Sequence, residues 1–345
     1  MEELTIYKPN SLYNKNGSLF AFDAFIKNNF LYLVMPLYKN YPSCNQIHAF
    51  IKSGSIILYD DIIKNSREAT RILIYKIISQ ESSGHICAII YNNRKFTINQ
   101  NNTNVENLFD NSYLSLTTLC KNDYELIQPF INYYVKNGVE RFYIYYNGII
   151  TPDIQENIIT ICHKYTIPMK KIIFIEWNFA YWHNNSLHTT HHAQLGQMHH
   201  ALYFFGKSHS QYMIFCDLDE YFYIKNGTIE NLIRKNEIVD TFCFHNSWAQ
   251  LINMQINDHK NIEFPKTFIH SKTVHNYGWR SKCIHKVGSV RTISIHKHDL
   301  YNKRNPLLSK KYVMFHFYNW TQLDRKIESI EKKHVHFVKI DVDST

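Results

Sequence analysis

The sequence lacks the short motifs that identify several enzyme classes directly. It contains no G-x-S-x-G, no P-loop and no G-x-G-x-x-G, so hydrolase, kinase and Rossmann dehydrogenase interpretations have no signature to rest on. No dense block of lysine and arginine occurs despite the net charge of +9, which argues against a nucleic-acid partner. A mild positive charge instead favours anionic ligands such as nucleotide diphosphates.

Long apolar runs and paired cysteines are absent as well. The run Phe30–Leu37 is far too short to span a membrane, and the acidic start Met-Glu-Glu does not resemble a signal peptide. The seven cysteines are scattered and never spaced C-x-x-C, so neither a zinc ribbon nor a disulfide framework is indicated. We therefore expect a cytoplasmic protein with reduced cysteines and no transmembrane segment.

The stretch Tyr212–Phe222 is the most informative part of the chain. Five mostly apolar residues, which predict a buried strand, run into Asp217, Asp219 and Glu220. Because strand side chains alternate, the two aspartates point to the same side, where their charges repel unless a cation joins them. Hard oxygen ligands of this kind suit Mg²⁺ or Mn²⁺, and a cation there can hold a diphosphate. The alternative is a solvated turn after a strand.

The chain divides into two regions with different patterns. Residues 1–105 carry short β segments between polar turns, which predicts a small, sandwich-like β-rich domain. The Asn-rich stretch 99–104 is the expected boundary. Residues 106–345 alternate strands with helices, which favours an α/β domain that binds ligands at the carboxyl ends of parallel strands. Predicted strands are 113–119, 139–145, 171–176 and 212–216, and predicted helices are 123–136, with Asp123 as its cap, 154–164, 187–205 and 323–334.

Histidine is unusually abundant, with 20 residues. His188 and His192 have the spacing of two zinc ligands on a helix, but no H-E-x-x-H and no cysteine accompany them. We therefore expect the histidines of segment 183–200 to form a polar helix surface, with a zinc site as the alternative. His316 lies in an apolar strand, where it is either a buried structural residue or a third ligand beside the aspartates.

Four segments, in order, resemble glycosyltransferase family 92. They are Cys120-Lys-Asn-Asp with the later Gly138-Val and Phe-Tyr-Ile-Tyr; Gln194 with His199-His200-Ala-Leu; Asp217-Leu-Asp-Glu-Tyr; and Arg280-Ser-Lys-Cys-Ile with His296 and His316-Phe-Tyr. The β-rich front is also similar to the N-terminal part of that family, so the resemblance covers most of the chain.

The resemblance implies a GT-A fold, which is Rossmann-like, and the inverting transfer of a hexose from a UDP-sugar to an acceptor hydroxyl. Galactose is the favoured sugar, and the acceptor is a glycan or glycoconjugate. Mn²⁺ or Mg²⁺ would be held by Asp217, Asp219 and His316. The residues expected to bind the donor are Cys120, Lys121, Asn122, Asp123, Asn147, Gln194, Asp217, Leu218, Lys282 and His296.

Inversion also requires a carboxylate that deprotonates the acceptor. Four candidates remain open: Glu220, Asp258, Glu263 and Asp299. Asp217, Asp219 and Glu220 are the expected catalytic residues, while His245 and Trp248 are expected at the acceptor, with core packing as the alternative for Trp248. The rival function is a carbohydrate-binding protein of the same fold that has lost catalysis and needs no cation.

Overall fold

The computed structural model describes most of the 345-residue chain. The described residues are 4–37, 43–51, 54–64, 70–78, 86–99, 111–121, 123, 126–164, 171–183, 190–251, 267–271, 280–296, 298–300, 307–317 and 337–341. Contacts divide the chain into two compact units. The front unit comprises residues 7–111 and 175–209, and the main unit comprises 1–6, 112–174 and 210–345. The predicted division into domains 1–105 and 106–345 stays a prediction, and residues 175–209 cluster with the front of the chain.

The front unit is rich in β-structure, as expected. The first strand of the chain, β1 (Thr5–Tyr7), lies mostly in the main unit. The strands that follow are β2 (Leu12–Tyr13), β3 (Leu19–Ala21), β4 (Asp23–Lys27), β5 (Phe30–Pro36), β6 (His48–Ile51), β7 (Ser55–Lys64), β8 (Thr70–Ile78), β9 (Ile86–Tyr91) and β10 (Arg94–Asn99). A four-stranded antiparallel sheet has the order β4-β5-β8-β7, and a three-stranded one has the order β10-β9-β6. Buried apolar side chains of both sheets, among them Leu33, Leu73, Ile89 and Phe96, form one cluster.

The rest of the chain alternates helices and strands before it becomes mainly β. The elements are β11 (Ser112–Cys120), α1 (Ile127–Lys136), β12 (Arg141–Tyr146), α2 (Pro152–Lys164), β13 (Ile172–Glu176), β14 (Trp182–His183), β15 (Thr190–His191), α3 (His192–His200), α4 (Lys207–His209), β16 (Ser210–Phe215), β17 (Glu220–Tyr223), α5 (Ile229–Arg234), β18 (Thr241–Leu251), β19 (Thr267–Ser271), β20 (Lys282–Lys286), β21 (Val290–Ile293), β22 (His298–Leu300), β23 (Leu307–Phe317) and β24 (Phe337–Asp341). A π-helical turn, Ala201–Gly206, joins α3 to α4.

A large mixed sheet organises these elements. Its order is β1-β13-β12-β11-β16-β20-β18-β19-β24, with β23 beside β18 and β17 beside β23. Strands β12, β11 and β16 run parallel, whereas β20 is antiparallel to both β16 and β18. The carboxyl ends of β11, β12 and β16 therefore meet at one edge, as the alternation of strands and helices predicted. The expected α/β class is present as a mixed α/β unit.

Helix α1 fixes β17 in place. Its buried face includes Ile127, Phe130 and Tyr134, which recur at helical spacing. The Tyr134 hydroxyl donates to the carbonyl of Glu220 at 2.8 Å, and the Tyr133 hydroxyl to that of Phe222 at 2.7 Å. The predicted helix start at Asp123 was too early: the α-helix begins at Ile127, and its N-cap residue Leu126, whose N–H donates to the Asp123 carbonyl at 3.0 Å, makes no side-chain cap. Pro129 therefore lies in the first turn of the helix, where a backbone N–H has no carbonyl partner within the helix. The absence of an N–H on proline costs no hydrogen bond there.

The histidines of α3 are buried, so the predicted polar helix surface was wrong. The exposed fraction of His199 and His200 is 0% and that of His192 is 4%. His200 Nε2 lies 2.7 Å from Asp23 Oδ2, which also accepts a hydrogen bond from the Tyr7 hydroxyl at 2.7 Å. The polar rings are compatible with burial because they find polar partners inside the front unit.

Some expectations fall on residues that the structure does not describe. The predicted helix 323–334, the boundary residues 100–104, Asn122, His188, Asp258 and Glu263 lie outside the described residues. Across the described ranges, no helix combines the length and apolarity that a bilayer span requires. The six cysteines whose side chains are described are buried free thiols.

Candidate active site

The loop Cys216–Asp219 connects β16 to β17 at the edge of the main sheet. The backbone N–H of Cys216 donates to the Thr117 carbonyl at 3.4 Å, which prolongs the pairing of β16 with β11. At the other end, the Phe317 N–H donates to the Asp219 carbonyl at 2.9 Å. The Asp217 N–H donates to Glu220 Oε2 at 2.8 Å, so the glutamate closes its own loop. The aspartates are thus carried by a backbone that is fixed from both sides.

Lys282 joins two of the carboxylates. Its Nζ lies 2.9 Å from Asp217 Oδ2 and 3.2 Å from Glu220 Oε2. The lysine begins β20, whose Cys283 pairs with Phe215 of β16, so the sheet register carries it to the loop. Its side chain is almost completely buried, at 2% exposure, and it was expected to contact the donor. That contact stays a prediction, and the carboxylate partners were not foreseen.

The pKa values of the two carboxyl groups beside Lys282 shift in opposite directions. Partial burial is the largest single influence on Asp217 and opposes its ionisation, but the charge and the hydrogen bond of Lys282, together with His316, lower the pKa of this carboxyl below its usual value. Burial dominates at Glu220 and raises its pKa, although Lys282 counteracts part of the effect. Burial alone would lower the pKa of Lys282; the two carboxylates reverse this and raise it. The cluster holds opposite charges together in a buried place.

Asp219 and His316 form the second half of the cluster. Both side chains are buried, and Asp219 Oδ2 lies 3.4 Å from His316 Nε2. Glu220 Oε1 lies 3.6 Å from His316 Nδ1. The register of the sheet explains the grouping, because His316 of β23 is paired with Glu220 on one side and with Trp248 on the other. The Trp248 and His316 rings have centroids 4.5 Å apart.

The predicted metal ligands fit a divalent cation in part. Asp219 and His316 are close enough to bind the same cation, whereas Oδ2 of Asp217 forms an ion pair with Lys282. Among the described residues, no group of three or more His, Cys, Asp or Glu side chains is arranged to hold a metal. Mg²⁺ and related cations often take one or two protein ligands and complete their shell with substrate phosphates and water. The pair therefore fits such a cation, and Asp217 as a third ligand stays a prediction.

Several residues that were expected to bind the donor lie at the neighbouring strand ends. Cys120 and Tyr146 end β11 and β12 as a parallel pair, and the Asn147 N–H donates to the Cys120 carbonyl at 2.7 Å. Asn147 is buried and Lys121 is exposed. Burial raises the pKa of the Cys120 thiol, and the Asp123 carboxylate adds to the effect. These side chains lie at the same edge as the Asp217 loop, because β11 is parallel to β16.

The remaining expected site residues are distributed differently. Leu218 is buried inside the loop. Burial and the neighbouring Lys282 charge lower the pKa of His296 to about 3, so the ring is neutral near pH 7. Strand alternation places His245 on the face of β18 opposite to Trp248. Gln194 belongs to the front unit, where its Oε1 accepts a hydrogen bond from the Tyr181 hydroxyl at 3.2 Å. Their roles at the donor and acceptor stay predictions.

A buried cluster of carboxylates, lysine and histidine at the strand ends of an α/β sheet is the kind of place where enzymes bind phosphate-bearing substrates. Residues 116–344 match glycosyltransferase family 92. The chain belongs to this family and is a glycosyltransferase, which confirms the resemblance found in the motifs. The family implies a sugar donor and an acceptor as partners. Among curated proteins, none matches the chain significantly.

Proposed function

We propose that the protein is a metal-dependent hexosyltransferase of the GT-A type. It moves a hexose, with galactose favoured, from a UDP-sugar to a hydroxyl of a glycan or glycoconjugate, with inversion. The observation that carries this proposal is the buried contact between Asp219, in the loop after β16, and His316 of β23, beside the Lys282 ion pairs. A cation bound there would offset the negative charge that develops on the leaving diphosphate.

Each side chain of the cluster has a separate role in the proposed reaction. Asp219 and His316 hold the cation, while Lys282 fixes Asp217 at the loop and presents a positive charge to the diphosphate. Glu220 is buried, at 1% exposure, and accepts a hydrogen bond from the loop backbone while it contacts Lys282. This burial favours a positioning role for Glu220 over proton removal from an acceptor. Of the other candidate bases, Asp299 lies in β22, and nothing is described of its side chain.

A hydrolysis screen of nucleotide sugars tests the proposal. Purified full-length protein is incubated with UDP-galactose, UDP-glucose and GDP-mannose, with and without manganese, and release of the nucleotide is measured. We expect release from a UDP-hexose that requires manganese and falls at least about 100-fold in Asp219→Asn, because the cation loses a charged ligand. The control is Asp153→Asn, which changes an exposed carboxylate of α2. Equal turnover with and without manganese would contradict the metal assignment.

The Lys282 ion pairs also favour a second candidate, a carbohydrate-binding protein without catalysis. A lysine that already neutralises Asp217 and Glu220 reduces the need for a metal cation in the site. Such a protein would bind UDP-sugars with the same affinity in the presence of manganese or of EDTA. Titration calorimetry with UDP-galactose separates the two candidates, since the hexosyltransferase binds more tightly when manganese is present.

A further inference from the structure

A cavity of about 350 Å³ lies on the front unit, far along the chain from the carboxylate cluster. Two tight turns border it: residues 14–18, between β2 and β3, and Asn92–Asn93, between β9 and β10. Its floor is apolar and includes the buried side chains of Phe20 and Met35. The volume is within the range of sites for small molecules, roughly 300–1,000 Å³.

The charged side chains among the described residues of this cavity are all positive. Lys15 and Arg94 contribute to its wall, and none of the described residues that line it is acidic. Among the described residues, neither cation forms an ion pair, and the Arg94 guanidinium lies 5.1 Å from the centre of the Phe96 ring. An ammonium and a guanidinium without carboxylate partners favour a ligand with negative charge, because charge-assisted hydrogen bonds are the strongest available to it.

The rim of the cavity is held by its own hydrogen bonds. The Asn14 N–H donates to the Ser18 carbonyl at 2.8 Å, and the Asn14 side-chain amide donates to the Ser18 hydroxyl at 3.0 Å. The Ser18 hydroxyl donates to Asn16 Oδ1 at 2.7 Å. Across the cavity, Asn92 and Asn93 have φ values of 48° and 57°, which asparagine tolerates in tight turns. Turns fixed in this way lose little freedom when they bind a ligand.

An aromatic column forms one wall. The half-buried Tyr91 ring stacks on Phe20, with centroids 4.9 Å apart and an angle of 16° between the planes. Phe20 in turn stacks on Phe96 at 5.3 Å. An aromatic ring accepts the apolar face of a sugar, while asparagine amides donate to and accept from its hydroxyls. An inorganic anion would use the two cations but leave the ring and the apolar floor without a contact.

We propose that this cavity binds a saccharide unit that carries a negative charge, either a carboxylate or a sulfate ester. The sugar ring would lie on Tyr91, and the anionic group would contact Lys15 and Arg94. The charge requirement follows from the cavity alone. The choice of a saccharide rests on the proposed function, since sugar chains are the ligands that a glycosyltransferase meets. The cavity is lined by residues of the front unit, whereas the proposed cation ligands Asp219 and His316 belong to the main unit.

Titration calorimetry on the full chain tests the ligand class. The probes are lactose, 3′-sialyllactose, lactose 3′-sulfate and sodium sulfate. We expect 3′-sialyllactose or lactose 3′-sulfate to bind at least about tenfold more tightly than lactose, with affinity that falls as salt is added. The stronger of these two probes identifies the anionic group. Equal affinity for lactose, no binding of either charged sugar, or sodium sulfate binding as tightly as they do would each overturn the proposal.

Substitutions then locate the binding. Arg94→Gln and Lys15→Gln should each lower the affinity about tenfold, because each removes a charge-assisted hydrogen bond. Lys95→Gln is the matched control, since Lys95 is the exposed neighbour of Arg94 and does not line the cavity. Wild-type affinity in the Lys15→Gln/Arg94→Gln double variant would contradict the proposal. Nucleotide release from UDP-sugars should be unchanged in these variants, so the binding result and the donor result can fail separately.

Discussion

Each unit of the molecule contains a buried aspartate next to a histidine, and the two pairs are built differently. In the front unit, Asp23 Oδ2 lies 2.7 Å from His200 Nε2, and Asp23 Oδ1 also accepts from the backbone N–H groups of Asn10 at 2.7 Å and Ala24 at 2.8 Å. In the main unit, Asp219 Oδ2 lies 3.4 Å from His316 Nε2, which is long for a hydrogen bond. Tight hydrogen bonding marks a pair that holds a fold together, whereas the longer contact is compatible with a ligand between the two groups.

The largest effect on stability is expected from Asp23→Ala. This change leaves the His200 ring, the Tyr7 hydroxyl and two backbone N–H groups inside the front unit without their acceptor. We expect the free energy of unfolding to fall by about 3–5 kcal/mol, measured by urea denaturation. Asp153→Ala, at an exposed carboxylate, is the control. A loss below about 1 kcal/mol would remove the distinction between the two pairs.

Lys282→Met should have the next largest effect. The substitution leaves Asp217 and Glu220 as neighbouring carboxylates without their shared cation, and Glu220 is buried. We expect unfolding to be easier by about 2–4 kcal/mol at pH 7, and this deficit should become smaller as the pH is lowered, because burial raises the pKa of Glu220 and so favours its neutral form. Lys235→Met, at an exposed lysine, should be neutral. A deficit that does not depend on pH would contradict the charge argument.

His296 should make stability depend on pH. Its pKa in the folded protein is about 3, below the value of about 6.5 in an unfolded chain, so only the unfolded state gains a proton between these values. Stability is therefore complete above about pH 6.5 and is lost as the pH falls towards 3. We expect a loss of about 1–2 kcal/mol between pH 7.5 and pH 5, which His296→Gln abolishes and the exposed His48→Gln does not. An unchanged pH dependence in His296→Gln would place the titrating group elsewhere.

The smallest effect on stability is expected from Asp219→Ala, although it removes a buried carboxylate. The neighbouring Asp217 and Glu220 repel this charge, so its loss should leave the melting temperature unchanged or raise it slightly. Differential scanning fluorimetry without added metal measures this directly. A fall as large as that of Asp23→Ala would show that both pairs are structural.

The elements that surround the site were well predicted. The expected strands 113–119 and 171–176 agree with β11 and β13 within one residue at each end, because short apolar runs bounded by polar residues specify buried strands. The strand ends that carry Asn147 and Asp217 also follow from this pattern. The expected helix 187–205 was placed too early, since β15 occupies Thr190–His191 and α3 begins at His192.

The contacts that define the site were harder to predict. Lys282 is 65 residues from Asp217 in the chain, and His200 is 177 residues from Asp23. Periodicity describes neighbours along the chain, and it carries no information on which distant charges meet. For the same reason the histidines of α3 were expected on a surface: their amphipathic pattern is weak, and only the tertiary structure reveals that Asp23 lies opposite His200.

The discontinuity of the front unit has a consequence for synthesis on the ribosome. Residues 7–111 emerge first, but their Asp23 meets His200 only after a further 177 residues have been made. Until then this nascent unit holds a carboxylate that lacks its imidazole, and α3 has not yet covered it. Contacts between residues that are far apart in the sequence form late and slowly. A ribosome-bound chain that stops before residue 175 is therefore expected to expose the front unit to proteases, and one that extends past residue 209 to protect it.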